Sequence, residues 1–190
     1  MPRATRLVLF VTLCVLPALS ACSSSLPNRV PLGERFPTVT GEALSGETVT
    51  LPDDVAGAPA VLLVGYVQEA QFDADRWLFG LLQARTPVAL REVPTIPGLM
   101  ARAAGGFIDE GMRGGIPHED WRAVITLYGG GAADVAAFTG NTRSSNMRVL
   151  LLDADGRVAW FHDRGFSAGK LLELDRAARA LVEGDPSGDA

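Results

Sequence analysis

Thiols, imidazoles and clustered carboxylates are the groups best able to act as nucleophiles or metal ligands, and this chain is sparing with the first two. Its two cysteines are Cys14 and Cys22, so residues 23–190 carry no thiol. That stretch can form no disulfide, no thiolate nucleophile and no cysteine metal site. The two histidines, His118 and His162, have no second histidine at ligand spacing. His118-Glu119-Asp120 follows Pro117 and reads as a turn or helix cap. His162-Asp163-Arg164 reads as a structural or surface polar group. No metal site and no cofactor are expected. Gly129-Gly130-Gly131 ahead of a helix has the makings of an anion cradle, but the lysine and Ser/Thr of a P-loop are missing, so a plain turn is expected. Asp153-Ala154-Asp155-Gly156 opens like a calcium loop, yet the twelfth position is Arg164 instead of glutamate. A hairpin turn explains it. Ser167 is read as the cap of the last helix, not as a nucleophile.

Positioning these residues falls to a regular succession of elements. Residues 38–50 alternate around Gly41 and Gly46, as an edge hairpin does. Residues 60–67 include Val61, Leu62, Leu63 and Val64, a run suited to a strand covered on both faces. Gln68, Glu69, Ala70 and Gln71 follow, and then a helix. Asp73 and Asp75 suit its dipole, Ala74, Leu78, Leu81 and Leu82 share a face, and Pro87 closes it. Residues 88–93 form a second strand ended by Pro94 and Pro97. A helix interrupted by Gly105 and Gly106 comes next. Residues 123–128 make a third strand and 132–138 a short helix. Residues 147–152 and 157–161 form the fourth and fifth strands, and a last helix runs to about Glu183 with Leu171, Leu174, Ala178 and Leu181 inward. This order predicts an α/β fold: a central mixed sheet with an amino-terminal β-hairpin and helices on both faces.

With 47% hydrophobic and 21% charged residues, the chain has the composition of a globular domain. The first 21 residues carry Arg3 and Arg6 and no acid, so the net charge of −5 becomes −7 without them. An acidic domain without a basic cluster argues against nucleic acid as a partner.

The amino terminus has its own logic. Two arginines precede an apolar run of about 13 residues, too short to span a bilayer but suited to a secretory signal. Leu19-Ser20-Ala21-Cys22 ends it and resembles the lipobox of bacterial lipoproteins. That resemblance implies cleavage before Cys22, diacylglyceryl on its thiol, and a further acyl chain such as palmitate on the new amino terminus. The expected organisation is a signal peptide over 1–21, lipidated Cys22 with a tether over 22–32, a domain over 33–183 and a flexible tail over 184–190. The expected location is the bacterial cell envelope, anchored to a membrane through lipid on Cys22.

Gly33-Glu34-Arg35-Phe36-Pro37 before the hairpin, VLLVGYVQ before a helix, and RVLLLDADGRVAWFHDRG before the last helix resemble the thioredoxin-like fold in its lipoprotein and peroxiredoxin-like versions. The latter stretch, with Phe138-Thr139-Gly140-Asn141, is similar to the carboxy-terminal part of the mitochondrial ATP synthase assembly factors of that class. Those are cysteine-poor, non-enzymatic chaperones. In thioredoxin-type enzymes two cysteines occupy the strand–helix junction and a cis-proline precedes a later strand. Here Gln68–Ala70 and Gln71 stand at the junction and Asn146 precedes Met147. The resemblance therefore implies a redox-inactive protein-binding or assembly module with a protein partner, contacted through the rim Tyr66, Gln68, Glu69, Phe72, Asn146 and Arg164. The alternative is an oxidoreductase-like enzyme that is thiol-independent or borrows a partner's thiols.

Overall fold

Five successive side chains, Ala60 to Val64, are buried in β3 (Ala60–Gly65). A strand apolar on both sides must lie inside a sheet covered on both faces. It does: the strand order is β2-β1-β5-β4-β3-β6-β7. The computed structural model describes residues 25–184. Its elements are β1 (Val39–Ala43), β2 (Thr48–Leu51), β3, α1 (Gln71–Ala84), β4 (Ala89–Ile96), α2 (Leu99–Arg113), β5 (Ile125–Tyr128), α3 (Gly129–Thr139), β6 (Arg148–Leu152), β7 (Val158–His162) and α4 (Ala168–Glu183), with three short 3-10 turns. Strands β3, β4 and β5 are parallel, while β1, β6 and β7 pair antiparallel to their neighbours. The expected mixed α/β sheet with an edge hairpin is what forms.

Alternation along the strands divides the core. Leu62, Val64 and Leu150 face Phe36, Val135, Ala136 and Phe138 under α3. Val61, Leu63, Val149 and Leu151 face Trp77 and Leu81 of α1 and Leu174 and Ala178 of α4. Full burial of each such side chain is worth about 1.5–3 kcal/mol. The two-sided core is therefore what fixes β3, and with it the junction that follows.

Several local expectations are corrected. Strand β4 does not stop at Val93 but runs through Pro94 to Ile96. Pro94 sits where pairing with β3 ends at Gly65 and pairing with β5 begins at Thr95, a hand-over that tolerates a missing N–H. Helix α2 is not interrupted at Gly105. A Cβ there would meet the Tyr128 ring at 3.1 Å, so this glycine is a packing notch. Helix α3 begins at Gly129 and includes the glycine run. Helix α1 ends at Ala84 on a left-handed Arg85. Its inner face carries Asp73, Ala74, Trp77 and Leu81, whereas Leu82 is exposed.

The largest departure is the segment expected to be a tether. Cys22 and the signal segment lie outside the described residues, but from Leu26 onward the chain is strapped to the domain. Leu26 N donates to Asn141 Oδ1 at 2.7 Å, and Asn141 N donates back to Leu26 O at 3.0 Å. Asn28 Oδ1 accepts from Thr142 N, and Arg29 N donates to Thr139 O. Pro27 crosses Gly140 so closely that a Cβ there would lie 2.2 Å from Pro27 O. Among the described residues no helix is long and apolar enough to cross a membrane.

Candidate functional site

Parallel strands β3, β4 and β5 place their carboxyl ends together, and the antiparallel β6 starts and β7 finishes at that same end. In α/β sheets this is the end where loops gather and ligands bind. It collects three segments: the β3–α1 junction (residues 65–73), the loop before β6 (140–147) and the loop after β7 (163–167).

Asp73 holds the three together. It lies in the first turn of α1 and is 8% exposed. Its Oδ2 accepts from Met147 N at 2.9 Å and its Oδ1 from Phe166 N at 2.6 Å. The sequence shows a carboxylate matched to a helix dipole; it does not show this cross-link. Met147, 2% exposed, closes the space beneath the junction. A Cβ on Gly65 would be 3.1 Å from its Sδ. The junction is thus filled by a thioether and tied by a carboxylate.

The loop before β6 winds around Arg148, which is fully buried. Nε donates to Gly140 O, Nη1 to Arg143 O and Asn146 O, and Nη2 to Asn28 Oδ1, at 2.6–3.1 Å. The guanidinium lies 5.1 Å from the centre of the Tyr66 ring, within cation–π range. Burial draws its pKa below the usual guanidinium value.

The rim is corrected at one position. Gln68, Glu69, Phe72 and Arg164 are exposed, and Asn146 is half-buried with its amide donating to Asp163 O. Asp73 brings their flanking residues to one end of the sheet. Tyr66, however, points inward and is 8% exposed. Its hydroxyl donates to Val135 O at 3.1 Å and shares a 2.6 Å hydrogen bond with Thr139 Oγ1. Burial pushes its pKa up to about 12. It belongs to the core because residue 66 continues the β3 alternation on the α3 side.

The remaining chemical candidates are each engaged by structural partners. The His162 ring lies beside Trp77 and Trp160, with Nε2 held by Gly165 O at 2.9 Å. His118 lies against Trp121, with ring centres 4.6 Å apart and the planes tilted by 53°, within a 3-10 turn. The Asp153 carboxylate accepts from Asp155 N and Arg157 N, which accounts for the hairpin turn. Among the described residues no three His, Cys, Asp or Glu side chains converge as a metal site. The cis peptide among them, Leu51-Pro52, follows β2 and not the loop before β6.

Sequence reasoning missed one motif. Gly165-Phe166-Ser167-Ala168-Gly169 has the Gly-x-Ser-x-Gly spacing of a serine-hydrolase nucleophile elbow. Ser167 nonetheless has an ordinary extended backbone (φ −146°, ψ 129°) at the start of α4, not a strained elbow. His162 Nε2 is engaged with Gly165 O. Nor does Ser167 cap α4 with its side chain, as the sequence leads one to expect; its carbonyl accepts from Leu171 N instead.

Behind the junction, Glu92 of β4 lies near Gln71, which donates to Asp75, and near Asp75 itself. Burial raises its pKa, the neighbouring Gln71 amide opposes this, and the Asp75 charge adds to it. An acid whose folded pKa exceeds its unfolded one binds more protons when folded, so stability falls as pH rises through that interval. Glu92→Gln therefore raises Tm at pH 7. The gain shrinks on acidification and is gone below about pH 4, where the unfolded-state carboxyl is itself protonated. Melting curves at the two pH values check it.

No family model matches the chain, and no curated protein matches it in sequence. Solved structures match it in shape. A SCO1/SenC family lipoprotein from Bacillus anthracis is 13% identical, with TM-score 0.55 over 82% of this chain and 99% of that one. The exposed lipoprotein thioredoxin of Streptococcus pneumoniae is 12% identical, with TM-score 0.52 over 74% and 98%. Yeast Sco1 with copper bound is 13% identical, with TM-score 0.52 over 85% and 99%. The fold is thioredoxin-like. Within a thioredoxin-like domain the β3–α1 junction is where the reactive cysteines of redox enzymes stand. Here that position carries Gln68, Glu69, Ala70 and Gln71, backed by Met147 and Asp73.

Proposed function

We propose that this chain is a lipid-anchored module of a bacterial cell envelope whose thioredoxin-like domain binds or helps assemble a protein partner and carries out no thiol chemistry. One observation carries the reading. The reactive junction of the fold is built without sulfur nucleophiles, and the space beneath it is filled from within by Met147. Thiol exchange needs a thiolate attacking sulfur, and residues 23–190 contain none. The Leu19-Ser20-Ala21-Cys22 motif supports the anchor. The resemblance of residues 138–141 and 149–167 to the thioredoxin-like assembly factors supports the assembly role.

Phe72 anchors the contact surface. It is 76% exposed at the start of α1, beside Gln68 and Glu69, and Val67 is also exposed there. An exposed aromatic flanked by polar groups has the character of an interface anchor. A photocrosslinking residue in place of Gln68, in the full-length protein in its own membranes, is expected to give a discrete adduct. Phe72→Ala with Glu69→Ala is expected to reduce it at least tenfold while leaving Tm within about 2 °C, as for surface changes. Undiminished adduct in the double variant overturns the rim assignment. Thiol-exchange activity above a buffer blank overturns the redox-inactive reading.

A further inference from the structure

We propose that the junction end of the domain is held against the membrane, with the 140–147 loop and Arg164 facing phospholipid headgroups. The proposal rests on lipidation of Cys22 and adds an orientation to it.

The argument is one of reach. The chain is fixed to the domain from Leu26, which is bonded to Asn141 and accepts from Thr142 Oγ1 at 2.8 Å. Asn28 extends the attachment to Asp163 at 2.5 Å and to Arg148 at 3.1 Å. Only Ser23, Ser24 and Ser25 lie between Cys22 and Leu26, a distance of four residue steps. At about 3.3–3.6 Å per residue, that leash spans at most about 14 Å in any conformation. A domain of this size has a radius of gyration of about 15 Å. A leash shorter than the domain is wide cannot let it roll over, so the part bonded to Leu26 stays at the lipid surface. That part is the 140–147 loop at the carboxyl end of β3.

The surface chemistry agrees. Residues 140–147 contain no carboxylate, and Thr142, Arg143 and Ser145 are exposed. Arg164 is exposed, and Asp163 beside it is turned inward to Asn28, with the Arg143 guanidinium 3.8 Å away. A molecule of net charge −7 once residues 1–21 are removed (−5 less the two charges of Arg3 and Arg6) thus presents cations at the end its leash brings to the bilayer. A Lys or Arg near an anionic lipid surface contributes about 1 kcal/mol. Glu69 and, near the start of α1, Asp75 are exposed acids on the α1 side of this end. A partner reached by Gln68 and Phe72 is accordingly met at membrane level.

The absence of thiols beyond Cys22 makes the test clean. In the full-length protein, a fluorophore is placed on Ser145→Cys at the junction end or on Ala58→Cys at the opposite end. Each is read in anionic phospholipid vesicles carrying a headgroup quencher, and the mass of the amino-terminal peptide reports lipid on Cys22. The expected result is quenching at least threefold greater at position 145 than at 58, with the difference reduced by ten Gly/Ser residues inserted after Ser24. Equal quenching with lipid on Cys22 overturns the orientation and leaves the anchor standing. A mass without lipid overturns both.

Discussion

Asp73→Ala lowers the stability of the domain by about 3 kcal/mol or more. One buried carboxylate accepts Met147 N and Phe166 N, and a hydrogen bond to a charged group is worth about 1.5–3 kcal/mol. Both amides lose their acceptor at once, and neither loop can re-pair them without moving. At about 2–4 °C per kcal/mol for a domain of this size, Tm falls by roughly 6–12 °C. Asp73→Asn does not rescue it, because one of its two positions becomes a donor facing a donor. Asp75→Ala, two residues on, removes an exposed contact with Gln71 at 3.1 Å and a like charge near Glu92, and stays within about 0.5 kcal/mol of the parent. Urea unfolding of the three variants distinguishes a cross-link from a helix-dipole effect. If Asp73→Ala and Asp75→Ala cost the same, Asp73 does no more than complement the dipole.

That comparison shows how much the sequence discloses. The apolar run of β3, the edge hairpin and the Asp153 turn are legible because local pattern decides them: continuous burial, alternation, and a turn closed by its own side chain. The position of the junction is legible for the same reason. The rim is nearly so, but Tyr66 follows a strand and inherits its alternation, which turns it inward although it borders a loop. The strap is not legible. Serine, proline and asparagine over 23–31 read as a linker, and the bonds that fix it join Leu26 and Asn28 to residues more than 110 positions away. Asp73 and Arg148 belong to the same class. Each is polar in an amphipathic or apolar context, and each has its partners on segments that only the folded sheet brings close.

Arg148→Met is expected to cost about 3 kcal/mol, because four hydrogen bonds from a charged donor, each worth about 1.5–3 kcal/mol, are lost against the relief of its desolvation. The opposite outcome has a physical basis, since exchanging a whole buried ion pair for apolar residues often stabilises. What decides the sign here is that the partners are not replaceable. Gly140 O, Arg143 O and Asn146 O are main-chain acceptors on a loop outside strand and helix, and Arg148 donates to all three; Gly140 O also accepts from Thr139 Oγ1 and Arg143 O from Asn146 N. Methionine relieves the desolvation of the guanidinium but strips Asn146 O of its donor, at about 1–3 kcal/mol, and takes one of two donors from Gly140 O and from Arg143 O. Arg148→Lys recovers little, because an ammonium cannot fork to four acceptors. The loss is also local before it is global. Asn28 Oδ1 is bonded by Arg148 and by Thr142 N, so the strap loosens with the loop. Asn28→Ala therefore costs less in the Arg148→Met background than in the parent, with a coupling of about 1 kcal/mol. Hydrogen exchange quickens at Arg29, Asn141 and Thr142 while amides in β3 keep their protection relative to global unfolding. A variant as stable as the parent, with these amides still protected, shows that packing alone orders the loop and that the buried guanidinium is not what holds it.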